Sequence, residues 1–258
     1  MADYPSYDLA TLREGVRPFR LIWSPRMRST NDRAITLRKR NQLFAPTIVV
    51  TGHQTAGRGR GNNVWFSNAG AVTVTFAVAV EPSSPTHHLP LVAGLAVRNA
   101  AAELASTPDI QLKWPNDIVH EGKKLGGLLC ERVENVDLVG VGLNLNLSPA
   151  DAPASLRTSI TSLAKICGQI LDPTDSLIII CKHILQTLAR RTEQPFGAIL
   201  ADYTQYHALH GHRLTITNEG EATIKGVCEG IDDTGRLLVR RGKTLHRVVN
   251  GTVAVVEK

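Results

Sequence analysis

Ten residues, Ala71 to Val80, alternate without interruption: Val72, Val74, Phe76, Val78 and Val80 interleave with Ala71, Thr73, Thr75, Ala77 and Ala79. Side chains of an extended chain point to opposite faces in turn. A period of two sustained this long predicts a strand with a larger and a smaller face. The residues around it predict a mixture of helices and strands. Ser29-Thr30-Asn31 is good N-cap chemistry before a helical stretch, Asp32 to Arg40. Pro46 opens an apolar strand, Thr47 to Thr51, and Leu89 to Ala105 reads as a buried, alanine-rich helix ended by Ser106-Thr107-Pro108. Short strands then follow at Ile110–Trp114, Ile118–His120, Lys124–Arg132 and Asp137–Leu147, with a hairpin turn at Glu121-Gly122-Lys123. Asp172 caps a helix with Pro173 at its first position, running to about Arg191, and a shorter helix covers about Phe196 to His207.

After Gly211 the pattern changes. Short strands are expected at Arg213–Thr217, Glu221–Gly230, Arg236–Arg240, Thr244–Val249 and Thr252–Val256. Asn218-Glu219-Gly220, Asp233-Thr234-Gly235 and Asn250-Gly251 mark the turns. This predicts a small SH3-like β-barrel over 211–258, following a larger domain over 1–210.

The chain has 258 residues, 43% hydrophobic and 20% charged, which fits a soluble globular protein. Its net charge of +6 favours acidic partners without requiring them. Basic residues crowd into Arg17, Arg20, Arg26, Arg28, Arg33, Arg38, Lys39 and Arg40. They read either as a solvated face or as a surface that steers a nucleotide or an acidic protein domain. The four scattered cysteines form no C-x-x-C pair, which argues against a zinc site or a disulfide framework and fits a reducing cytosol. The start has no apolar core of the secretory kind, and no run approaches the roughly 20 residues that span a bilayer. His207, His210 and His212 lack the i,i+4 spacing of a zinc helix and read as a polar linker.

Chemistry concentrates in four stretches. Gly57-Arg58-Gly59-Arg60-Gly61 alternates backbone freedom with planar cationic forks, which predicts a mobile loop over an anionic ligand. Its G-x-G-x-G spacing and the strand after it do not fit a dinucleotide fingerprint, and Gly242-Lys243-Thr244 lacks the first glycine of a P-loop. Lys113-Trp114-Pro115-Asn116-Asp117 crowds a cation, an amide and a carboxylate at a strand end, although turn chemistry alone accounts for Pro-Asn-Asp. Lys124 precedes Leu125-Gly126-Gly127, a strip with no side chains to block a ligand. Gly140, Gly142 and Asn144 share one strand face and predict the wall of a narrow slot, or a sheet twisted tightly against a helix.

Together with Ser29-Thr30-Asn31, and in this order, these stretches resemble the biotin protein ligases from about Trp23 to the C-terminus. The resemblance implies an α+β (α/β) architecture: a central mixed-sheet catalytic domain of the biotin/lipoate ligase type followed by an SH3-like barrel. It implies that biotin is activated with ATP and Mg²⁺ as biotinyl-5′-AMP and transferred to a lysine of a biotin carboxyl carrier protein domain. By resemblance, Ser29, Thr30, Gln54, Gly57, Arg58, Lys124, Gly127, Gly140 and Gly142 bind biotin. Arg60, Trp65, Lys113, Asn116 and Asn144 serve ATP, with Asn144 the candidate near the metal. Lys124, Arg58, Arg60 and Asp117 carry catalysis. A monofunctional cytoplasmic form without a DNA-binding domain is expected, monomeric or homodimeric.

Two departures stand out. Gly61-Asn62-Asn63-Val64-Trp65 replaces the further glycine and arginine of many members, and Gly251-Thr252 stands where Gly-Glu is frequent. The rival readings are a lipoate or octanoate ligase and a nucleic-acid-binding regulator. The first is disfavoured by the intact loop, and the second by an aromatic content of 5% with no evident recognition helix.

Overall fold

The computed structural model describes residues 7–82, 84–218 and 222–256. The alternating stretch forms β3 (Ala71–Ala79), third in a seven-stranded sheet. The others are β1 (Arg20–Met27), β2 (Thr47–Gln54), β4 (Gln111–Lys113), β5 (Asp117–His120), β6 (Lys123–Val133) and β7 (Val136–Asn144). Their order is β1-β2-β3-β7-β6-β5-β4, parallel between β1 and β2 and antiparallel elsewhere, so the sheet is mixed.

The two faces of β3 meet different neighbours. Val72, Val74, Phe76 and Val78 enter the main core with α1 (Leu9–Gly15), α3 (Leu89–Ala105) and α5 (Pro173–Glu193). On the smaller face, Ala77 packs with Val49 and Leu138 against Ala34 and Leu37 of α2 (Thr30–Lys39). Helices α2 and α5 show why they start where they do. The Ser29 side chain accepts from the Asp32 amide, and Asp172 accepts from the Thr174 and Asp175 amides. Acids at Asp32 and Asp175 and bases at Arg38, Lys39, Arg190 and Arg191 complement the helix dipoles. The helices α4 (Leu163–Cys167) and α6 (Phe196–Gln205) complete the layer on the α3 side.

The C-terminal sheet has the antiparallel order β11-β10-β9-β8-β12, from β8 (Arg213–Thr217), β9 (Ile224–Ile231), β10 (Leu237–Arg241), β11 (Thr244–Val248) and β12 (Thr252–Val255). It fits the SH3-like expectation. Glu219 and Gly220 of the first expected turn, and Glu221 at the start of the strand expected after it, lie outside the described residues. The sheet is anchored to the larger layer by its β9–β10 turn. Trp114 Nε1 donates to the Gly235 carbonyl at 3.1 Å, and the Thr234 carbonyl lies 2.9 and 3.0 Å from Nε2 of His87 and His88.

Three expectations are corrected. The basic tract hides β1, which the sequence did not reveal because Arg20, Ser24, Pro25 and Arg26 interrupt its apolar pattern; an edge strand tolerates proline and charge. Strand β7 ends at Asn144, short of Leu147. His207 is not part of a polar linker: it is buried beside Tyr203, and burial lowers its pKa to about 4, with His210 adding to the effect. Only His210 and His212 of that trio are exposed.

Candidate active site

A cavity of about 710 Å³ lies over the small-residue face of the sheet. Its floor comes from β6 and β7, one rim from the start of α2, its cover from the Gly/Arg loop, and a further edge from the barrel residues Asn250 to Val253. Of the residues expected at a site, Ser29, Thr30, Gln54, Arg58, Arg60, Trp65, Lys113, Asn116, Asp117, Lys124, Gly127, Gly140 and Gly142 all line this space. Gly57 does not line it but shapes the loop, since its carbonyl accepts from the Trp65 amide at 3.0 Å. Asn144 is not brought to the cavity. Its amide donates to the Thr161 carbonyl at 2.9 Å and the residue is buried, so continuing the glycine face along β7 does not place its side chain in the slot.

The bare wall has a physical reason. A Cβ at Gly140 would collide with the Asn31 amide, and one at Gly142 with the Trp65 indole. The glycines therefore admit a polar side chain at one end of the slot and an aromatic ring at the other. Thr75 ties the floor together, donating to Asn31 Oδ1 at 2.6 Å and lying 2.8 Å from Thr30 Oγ1. Gln54 Oε1 accepts from the Thr30 amide at 2.8 Å. Asn31 is thus a site residue that sequence reading passed over as part of a helix cap; its position beside Ser29 and Thr30 was the available signal.

Lys124 reaches the cavity because of a register shift. Opposite β5, Ile118 pairs with Gly126 but Val119 pairs with Lys124, leaving Leu125 as the extra residue. A bulge reverses the alternation beyond it. Leu125 and Leu128 both enter the core, while Lys124 and Gly127 both face the cavity. Lys124 Nζ lies 2.6 Å from Asp117 Oδ1 and 5.9 Å from the Trp65 ring centroid.

The two loop arginines differ. Arg58 donates to Asp32 at 2.6 Å and to Glu131 at 2.8 Å, and the Glu131 hydrogen bond above all holds its guanidinium above the ordinary value. Arg60 donates to Asn116 Oδ1 at 3.3 Å and the Gly251 carbonyl at 3.4 Å. Burial lowers its pKa, against the opposing charge of Asp117. Such a cavity, with cations above a bare strand wall, suits a narrow ligand bearing negative charge. Among the described residues no group of three His, Cys, Asp or Glu could hold a metal ion. Of the residues lining the cavity, Asp117 is the carboxylate. A magnesium ion therefore fits here as one carried on nucleotide phosphates rather than caged by protein.

The fold and this cavity define the class. Residues 23–148 match the Biotin/lipoate A/B protein ligase family, and residues 210–255 match the Biotin protein ligase C terminal domain. The chain is 31% identical over 207 residues to the biotin–[acetyl-CoA-carboxylase] ligase of Mycobacterium tuberculosis, covering 76% of this chain and 73% of that one. It is 30% identical over 221 residues to the enzyme of the same name from Paracoccus denitrificans, covering 82% and 90% respectively. The biotin protein ligase of Aquifex aeolicus, solved in complex with biotin and ATP, superposes with a TM-score of 0.82 at 28% identity over 93% of this chain and 99% of that one. The chain belongs to the biotin protein ligases.

Proposed function

We infer that the chain activates biotin with ATP and transfers it to a lysine of a carrier protein domain. The observation that carries this reading is the convergence of Arg60, Lys124 and Asn116 on a slot walled by Gly140 and Gly142. In the first half-reaction a biotin carboxylate oxygen attacks the ATP α-phosphorus. Pyrophosphate leaves and biotinyl-5′-AMP forms. Two anions must approach, so the protein contributes position and positive charge, from Arg60 and Lys124. A magnesium ion brought with the nucleotide would supply further positive charge against the phosphates. The Gly/Arg loop, with Trp65 behind it, keeps water from the mixed anhydride.

In the second half-reaction the neutral amine of the acceptor lysine attacks the acyl carbon and AMP leaves. Asp117 is our candidate to orient or deprotonate that amine. Its contact with Lys124 gives it a second task, holding the ammonium over Gly127. Residues 1–210 would form the catalytic domain and 211–258 a barrel that edges the cavity through Asn250–Val253. Ser29, Thr30 and Gln54 would bind biotin, with Lys113 and Trp65 on the nucleotide side. No helix among the described residues is long and apolar enough to cross a membrane. A carrier domain of a carboxylase as acceptor and a cytoplasmic location complete the proposal.

The test is incubation with biotin, ATP and Mg²⁺, followed by mass detection of biotinyl-AMP and by pyrophosphate exchange. Exchange driven by lipoate or octanoate in place of biotin overturns the substrate.

A further inference from the structure

Glu131 gave no signal in the sequence, being one acid near the end of β6. In the fold its carboxylate joins three elements. Oε1 accepts from Arg58 Nη2 at 2.8 Å, and Oε2 lies 3.4 Å from Arg58 Nη1. Oε2 also accepts from Asn31 Nδ2 at 2.8 Å. Asn31 in turn donates to the Leu129 carbonyl at 3.0 Å, accepts from Thr75 and packs on bare Gly140. A continuous polar chain therefore runs from the loop through Glu131 and Asn31 to Thr75, Thr30 and Gln54 under the cavity. Gln54 stands three residues before Gly57, so the loop is held at its root and again at Arg58.

Two carboxylates, Asp32 and Glu131, occupy the Arg58 guanidinium. Arg60 donates instead to neutral oxygens, of Asn116 and Gly251. The two arginines of one loop thus have different electrostatic settings: one is held in ion pairs with two carboxylates, and the other hydrogen-bonds neutral oxygens with the charge of Asp117 nearby.

We propose that Glu131 is a positioning residue of the ligase: with Asp32 it pins the loop shut through Arg58, and it sets how long a bound acyl-adenylate stays enclosed. The inference rests on the biotin-activating reading for its ligand, but the pin itself is made only of this chain's own side chains. Arg58 is the pin and Arg60 the cation that meets the nucleotide, which divides between them a charge role that the sequence assigns to both.

Glu131→Gln separates the pin from the floor, because the glutamine oxygen still accepts from Asn31 while the charge opposite Arg58 is lost. Two readouts are taken: release of preformed biotinyl-AMP after rapid gel filtration, and tryptic cleavage after Arg60 in ligand-free protein. Both rates should rise roughly threefold to fivefold, the size expected for one half-exposed, charge-assisted pair. Arg58→Ala should raise both further, since it frees both carboxylates. Glu131→Gln added to Arg58→Ala should then change neither rate. Wild-type rates in Glu131→Gln overturn the pin. An additive double variant also overturns it, because it would place the effect of Glu131 in Asn31 and the floor. If wild-type protein forms no biotinyl-AMP, the ligase reading fails and the tryptic rates alone decide the pin.

Discussion

The two faces of β3 are built from the same nine residues yet hold opposite kinds of structure. One face presents Val72, Val74, Phe76 and Val78 to α3 and α5, and is dry and close-packed. The other packs Ala77 against α2 and ties Thr75 to Thr30 and Asn31, beside a cavity of about 710 Å³ walled by Gly140 and Gly142. Large side chains on one face supply cohesion, and small ones on the other leave room for a ligand. Stability and chemistry are thereby separated by the thickness of one sheet.

Substitutions on the two faces should fail differently. The largest effect is expected from Phe76→Ala, which empties a fully buried ring site packed edge-on against Phe19. It should cost about 3–5 kcal/mol of unfolding free energy. Biotin-dependent pyrophosphate exchange per folded molecule should persist, as urea titration and exchange on one sample would show. Lys124→Ala, on the other face, should reverse this pattern. Exchange should fall by about 10²–10³-fold, as when one charge-stabilising donor is removed, with the unfolding midpoint little changed. A Lys124→Ala enzyme retaining most of its exchange would remove that residue from the charge role.

A third prediction concerns pH. His207 is buried on the apolar side with a pKa lowered to about 4. The unfolded chain, near 6.5, binds the proton first as pH falls, so stability drops below the unfolded value and levels off near the folded one. Between pH 7 and pH 5 this single group should remove about 2 kcal/mol, given its value of about 4. The His207→Gln variant should lack that part of the slope in urea titrations at the two pH values. The smallest effect is expected from Trp114→Phe, which loses the hydrogen bond to Gly235 but keeps most of the buried ring. It should cost about 1 kcal/mol. A loss several times larger would mean that the barrel contact does more than join two layers.

Much of this was legible in the chain. The alternation at Ala71–Ala79 marked both faces correctly, and the caps at Ser29 and Asp172 marked two helix starts. The Gly57–Gly61 loop, Lys113–Asp117, Lys124 and the glycines of β7 converge on one cavity, as their resemblance to the ligases implied. Asn144 shows the limit of such reading. Strand periodicity gives the face of a residue, but a partner 17 positions away, Thr161, takes its amide. Strand β1 shows another: edge strands need no continuous apolar pattern, so Pro25 and the arginines concealed it.

The chain by itself determined most of the elements, the two-faced strand and the types of residue that gather at the cavity, because periodicity, capping and glycine freedom act among near neighbours. Only the tertiary structure decided that Lys124 turns to the cavity through a bulge at Leu125, and that Arg58 is taken by Asp32 and Glu131 while Arg60 donates to Asn116 and the Gly251 carbonyl. It also decided that Trp65 closes over Gly142. Those outcomes depend on strand register and on charges up to 73 positions apart, which no local pattern encodes.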